Sequence, residues 1–88
     1  MKLKSDFQLV EVADEYVLIP VGKETNRFNG VIAVNEEVAF LVKHMYEPFE
    51  ITQLVHLLTD EYDVEQVTAQ EDINKLIDQL NEYSLLDE

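Results

Sequence analysis

The sequence contains no cysteine, no tryptophan and only two glycines among its 88 residues. Without cysteine the chain cannot form disulfides, thiolate zinc sites, iron–sulfur clusters or a cysteine nucleophile. Two glycines are too few for the glycine-rich loops that cradle phosphates. The two serines, Ser5 and Ser84, lie outside any nucleophile-elbow motif. We therefore expect a protein that is not an enzyme and that carries no cofactor.

Basic residues are scarce as well, six against 19 acidic residues, which gives a net charge of -13. Residues 45–88 contain 12 acidic residues and a single base, Lys75. Nucleic-acid binding draws most of its affinity from Lys and Arg that neutralise phosphates, so this composition argues against a nucleic-acid partner. The acidic excess has two readings: a solvated surface that keeps the protein soluble, or steering of a basic partner.

Long hydrophobic runs are absent too, and none approaches the roughly 20 apolar residues that span a bilayer. Lys2 and Lys4 are not followed by the apolar stretch of a secretory signal. We therefore expect a cytoplasmic protein with no membrane partner. A length of 88 residues and a hydrophobic content of 47% predict a single folded domain over residues 1–88.

The two histidines give little sign of a metal site. His44 and His56 fall on different predicted helices. His56 and Asp60 have the i, i+4 spacing of a metal clip, but two ligands without a visible third favour an ordinary surface pair. We expect no metal site.

Before residue 35 the sequence predicts a three-stranded antiparallel sheet. Residues 7–12 and 16–19 are rich in β-branched and aromatic residues, and residues 13–15 between them predict a hairpin loop. Pro20 should end the second strand, because proline cannot donate a ladder hydrogen bond. A polar loop over residues 22–27 and a turn at Asn29-Gly30 then lead to a third strand at residues 31–34, predicted to be buried on both faces.

After residue 35 the spacing of apolar residues predicts three helices. Asn35 is placed to cap a first helix whose stripe runs from Val38 to Met45 and which Pro48 should close. A second helix covers Ile51 to Tyr62. Thr68 and Glu71 have the spacing of a capping box, which predicts the start of a third helix there. The core stripe of that helix is predicted to be Ile73, Leu76, Ile77, Leu80 and Tyr83, and the apolar residues of Ser84-Leu-Leu86 should tuck back behind it.

These elements predict an α+β chain with one open sheet edge. If strand order follows chain order, residues 31–34 form an edge strand with one row of amides and carbonyls unpaired. Such an edge can accept an extended peptide as an added strand, and a capped helix nearby can form the second wall of a groove. The alternative is that the preceding loop shields a short edge, and the residues alone leave both open.

The chain resembles the PqqD-like family, named for the pyrroloquinoline quinone biosynthesis protein D. The similarity runs from about Phe7 to Leu86 as many weak matches in a fixed order. They are Glu15-Tyr-Val-Leu-Ile-Pro-Val-Gly22, Asn29-Gly30, Val34-Asn-Glu36, Ala39-Phe40, Ile51, Leu54-Val55, Leu58, Glu61-Tyr-Asp63, Asp72-Ile73, Leu76 and Leu85-Leu86. The sequence departs from the family pattern at Tyr46-Glu47-Pro48 and at Ser84, where glycines are common, and at Val42, where an aromatic residue is often found.

The resemblance implies a fold, a function and a site. The fold is winged-helix-like, a three-stranded antiparallel β-sheet followed by three α-helices, also called a RiPP recognition element. Members are non-catalytic peptide chaperones: they bind the leader of a ribosomally made precursor peptide by strand addition and present it to a modifying enzyme, often a radical SAM enzyme. Carried over by position, the peptide-binding residues are Val31, Ile32, Ala33 and Val34 on the third strand and Asp72, Lys75, Leu76 and Gln79 on the third helix.

Two other functions remain open from the sequence. One is a winged-helix nucleic-acid binder, for which the third helix offers only Lys75 as a base. The other is a structural module that docks on a larger enzyme through its acidic helices.

Overall fold

The computed structural model describes residues 1–22 and 30–87. Its elements are β1 (Lys2–Leu3), β2 (Phe7–Val12), β3 (Glu15–Pro20), β4 (Ile32–Val34), α1 (Glu36–Val42), α2 (Ile51–Glu61), α3 (Gln66–Glu82) and β5 (Leu86–Asp87). The predicted α+β class is confirmed, with a three-stranded antiparallel sheet and three helices. Most of the predicted loop, residues 23–27, and Asn29 of the predicted turn lie outside the described residues.

The main sheet has the order β2-β3-β4, with antiparallel pairs throughout. Val12 pairs with Glu15, so the hairpin loop contains two residues and not the three that were predicted. Ala13 has a φ of 57°, and a positive φ in the loop matches the primed turns that suit the twist of a hairpin.

The third predicted strand corresponds to β4, but it is shorter and more exposed than expected. Val31 precedes the strand and is 56% exposed. Ile32 and Val34 are half-buried, whereas Ala33 between them is exposed. The prediction of a strand buried on both faces was wrong, because only the face carrying Ile32 and Val34 packs on the core.

The predicted cap of α1 is confirmed, but its predicted end is wrong. The Val38 amide donates to Oδ1 of Asn35 at 2.8 Å. The helix ends at Val42, well before Pro48. The chain turns there because the Leu3 amide of β1 donates to the carbonyl of Met45 at 2.6 Å, and the Met45 side chain is fully buried.

The third helix begins earlier than its capping box predicted. Glu65 is the N-cap of α3, so Thr68 lies inside the first turn and Glu71 and Asp72 lie beyond it. The Ala69 amide donates to the carbonyl of Glu65 at 2.9 Å, and Ala69 is fully buried. Ala69 therefore packs on the core from a helix that begins before Thr68.

The core lies between the inner face of the sheet and the three helices. Its fully buried members come from β1, β2, β3, α1 and the turn after it, α2, α3 and the residue before β5. The largest are Phe7, Leu3, Leu18, Met45, Leu54, Leu58, Ile73, Leu85 and Val42. Leu85 and Leu86 pack back against the core after α3, as predicted. The same segment also forms a small sheet that was not predicted, in which β5 pairs with β1.

The end of α3 is a Schellman motif with serine where glycine is usual. The Leu85 amide donates to the carbonyl of Leu80 at 2.9 Å, and the Ser84 amide donates to that of Asn81 at 3.1 Å. Ser84 has a φ of 60°, in the left-handed region that costs residues with a Cβ atom about 1–2 kcal/mol. The departure from the family pattern at this residue therefore lies at a strained position.

Ser84→Gly should stabilise the protein. Removing the Cβ atom relieves the left-handed strain, and part of that gain is offset by the greater freedom of glycine in the unfolded chain. We expect the free energy of unfolding to rise by about 0.5–1 kcal/mol, or roughly 2–8 °C in Tm. Thermal denaturation followed by circular dichroism measures this. Ser84→Ala is the matched control, since it keeps the Cβ atom, and an equal gain in that variant would contradict the explanation.

Candidate functional site

The outer edge of β2 in the main sheet is hydrogen-bonded to the side chain of Tyr46. The hydroxyl of Tyr46 donates to the carbonyl of Phe7 at 2.9 Å and accepts from the Leu9 amide at 3.1 Å. These two backbone groups therefore point outward, away from β3. Burial raises the pKa of the Tyr46 phenol, and the hydrogen bond from Leu9 partly opposes this rise. The phenol stays protonated at neutral pH, as its donation to Phe7 requires.

The register then fixes which way the groups of β3 point. Residues of an antiparallel pair alternate between bonding their partner and pointing away from it. Leu9 bonds Tyr46 and lies opposite Leu18. The backbone groups of Leu18 consequently face the other neighbour, β4.

The same alternation leaves the backbone of Ala33 pointing to the outer edge of β4. Ile32 lies opposite Leu18, and Val34 lies opposite Tyr16, so these two residues of β4 bond β3. Ala33 lies between them, and its N–H and C=O face the outside of the sheet. Among the described residues β4 has one paired neighbour, β3. An extended peptide laid along β4 would therefore find a donor and an acceptor at Ala33.

A groove lies beside this edge, between β4 and α3. Its volume is about 180 Å³, and most of its wall is apolar. The lining residues are Leu18, Ile32, Ala33, Val34, Asn35, Val38, Leu76, Gln79, Leu80 and Tyr83. An apolar cavity of about 150 Å³ can hold a benzene ring, so this groove can take one leucine-sized or phenyl-sized side chain.

The groove continues toward the N-terminal end of α1. A second hollow of about 250 Å³ shares Asn35, Val38, Leu76 and Gln79 with the first. Its other walls are Glu37, Asp72 and Lys75. The two hollows thus form one channel, apolar beside Ile32 and polar beside Asn35.

The structure brings together seven of the eight residues proposed from the sequence. Ile32, Ala33, Val34, Leu76 and Gln79 line the first hollow, and Asp72 and Lys75 line the second. Val31 lines neither hollow. Leu76 is only 6% exposed, so it belongs to the core and to the groove floor at once.

The sequence did not indicate Tyr83 or Val38 as part of the groove. Tyr83 was predicted to lie in the core, but it caps α3 and is 47% exposed. The helical period predicted that Tyr83 lies on the buried stripe. Because α3 ends at this residue, its side chain lies beside the groove instead. Val38 was treated as a core residue of α1; it is half-buried and reaches the groove from that side.

The end of β4 near Asn35 is strongly acidic. A shallow depression of about 440 Å³ there is lined by four carboxylates, Glu11, Asp14, Glu15 and Glu36. The pKa of the nearby Tyr62 phenol is raised, first by desolvation and then by the negative charges of Glu36, Glu61 and Glu37. Of the carboxylates that line the depression, Glu36 contributes to this rise.

Other kinds of site are not visible in residues 1–22 and 30–87. Over that part of the chain no cluster of three His, Asp or Glu side chains could hold a metal ion. None of the helices described is long and apolar enough to cross a membrane. The open edge and its groove are thus the feature to compare with known proteins.

Comparison with known proteins gave two matches of different kinds. The family model described as "Coenzyme PQQ synthesis protein D (PqqD)" matches residues 15–86. A solved structure titled "TbiB1 in Complex with the TbiA(beta) Leader Peptide" superposes with a TM-score of 0.77 at 18% sequence identity, covering 99% of this chain and 95% of that one. No curated protein matches the chain. At this identity the superposition establishes a shared fold.

Proposed function

Because the chain belongs to the PqqD family, we propose that residues 1–88 form a single non-catalytic domain that binds the leader of a ribosomally made precursor peptide. The domain presents that peptide to a modifying enzyme, which in this family is often a radical SAM enzyme. The solved protein of the same fold is named as a complex with a leader peptide, which supports the proposal.

The outward-facing backbone of Ala33 is the observation that carries this proposal. The β2 edge is already bonded to Tyr46, so β4 offers the place for a guest strand. Main-chain hydrogen bonds to β4 would supply affinity, and the apolar groove would select one side chain of the guest. In this proposal Val31 to Val34 contact the guest backbone, and Asp72, Lys75, Leu76 and Gln79 contact its side chains.

A titration tests the proposal directly. Synthetic leaders from short reading frames beside the gene are titrated into the protein by isothermal calorimetry. Main-chain hydrogen bonds to β4 and one buried apolar side chain predict 1:1 binding of the leader that belongs to this protein. The core segment of the same precursor is the control and should not bind. Failure of every neighbouring leader to bind would contradict the proposal.

Nucleic-acid binding is the competing function that the same sample can test. α3, the helix that would enter a groove of DNA, carries Lys75 and four acidic residues. We therefore expect no mobility shift with duplex DNA at 50 mM salt. A shift that disappears as salt is raised would favour the nucleic-acid binder instead.

A further inference from the structure

The peptide channel is divided by charge along its length. Its Ile32 end is lined mostly by apolar residues, together with Tyr83. At its Asn35 end, Glu37 on α1 and Asp72 on α3 line one hollow, and a further carboxylate, Glu36, lines the depression beside it. The one base among the lining residues of these three hollows is Lys75.

This asymmetry has a consequence for any strand paired with β4. Alternate residues of a strand point to the same face, about 6.6–6.8 Å apart. A guest that places one side chain in the apolar hollow therefore directs the next side chain on that face, two positions along, toward Glu37 and Asp72. An acidic side chain at that position would meet like charges, whereas a lysine or arginine would meet opposite ones.

We propose that the leader bound by this protein carries an apolar anchor residue and, two to four positions from it, a lysine or arginine that lies between Glu37 and Asp72. This inference rests on the proposed function and specifies its substrate class. The excess of acidic residues thereby gains a role in selecting the peptide, in addition to keeping the protein soluble.

Lys75 allows a test that distinguishes selection by charge from selection by shape. If the channel selects a basic side chain, removing the acids should weaken binding and removing Lys75 should strengthen it. If the channel were only a shape, the two changes would act alike. Glu37→Gln with Asp72→Asn preserves the size of both side chains, and Lys75→Gln removes the base.

The experiment begins with a random library of 12-residue peptides selected by mRNA display against the wild-type protein. Ala33→Pro is the counter-selection target, so that only peptides that need the β4 edge are counted. We expect the selected peptides to contain an apolar residue with Lys or Arg enriched two to four positions away. One such peptide is then resynthesised for binding measurements.

The binding of that peptide decides the inference. Glu37→Gln with Asp72→Asn should raise the Kd by about five-fold, and Lys75→Gln should lower it by about two-fold. The changes are modest because exposed charge pairs contribute little to binding. Glu47→Gln with Asp78→Asn is the matched control: it removes two exposed acids that line none of these hollows and should leave Kd unchanged.

Two failures can be told apart. Selected peptides that need Ala33 but show no basic enrichment, or an equal loss in the control variant, would overturn the charge inference and leave leader binding standing. A selection that yields no peptide dependent on Ala33 would overturn the proposed function itself.

Discussion

Ala33→Pro should weaken leader binding by about 10- to 100-fold while leaving the protein folded. Proline removes the outward N–H of Ala33 and puts ring carbons in the path of the guest strand. The guest carbonyl that lost its donor would be left unpaired, at a cost of about 1–3 kcal/mol. No hydrogen bond to β3 is lost, because Ile32 and Val34 make those bonds. Calorimetry with a bound leader measures the change.

The opposite edge of the same sheet supplies the control. Glu11 on β2 is exposed and lies opposite Tyr16, so its N–H also points away from β3. Glu11→Pro should therefore perturb the sheet as much as Ala33→Pro does, yet keep leader affinity within about two-fold of wild type. Equal losses in the two variants would mean that proline acts through general damage to the sheet.

Leu54→Ala should have the largest effect on stability. Leu54 is fully buried on α2 within the core cluster. Replacing such a leucine removes apolar burial and leaves a cavity, which costs about 2–5 kcal/mol. A small domain has about 5–15 kcal/mol of stability in total, so the variant should unfold at much lower urea concentration or fail to fold. Urea denaturation followed by circular dichroism measures the loss.

Val67→Ala is the comparison for this prediction. Val67 is 67% exposed on α3, and alanine has the higher helix propensity. We expect that variant to be neutral or slightly more stable, within about 0.5 kcal/mol of wild type. A loss below about 1 kcal/mol in Leu54→Ala would contradict the placement of Leu54 in the core.

Local patterns predicted the elements that local interactions determine. Asn35 is followed by a change from strand to helix period, and its side chain caps the amide of Val38 as expected. We predicted from chain order that the third strand of the sheet lies at an edge, and β4 does so. The register of β3 and β4 then shows that the backbone of Ala33 faces the outer edge. Asp72, Lys75 and Gln79, which the family resemblance implied, lie along one wall of the channel.

The features that were missed depend on contacts distant in sequence. The end of α1 is determined by the bond between Leu3 and the carbonyl of Met45, which no window of neighbouring residues reveals. The pairing of β1 with β5 joins the two ends of the chain. The capping-box motif at Thr68 was present, but burial of Ala69 favours an earlier helix start. Tertiary packing overrode the local signal in each case.

Amide hydrogen exchange at Ala33 shows whether a bound leader forms a strand on β4. With isotope-labelled protein and a leader that binds, NMR compares exchange at Ala33 and at Glu11 before and after the leader is added. A guest strand on β4 predicts that the Ala33 amide becomes protected by at least about ten-fold, since it gains a hydrogen-bonded partner, while Glu11 is unchanged. A leader that binds with full affinity yet leaves the Ala33 amide exchanging as fast as before would contradict the account.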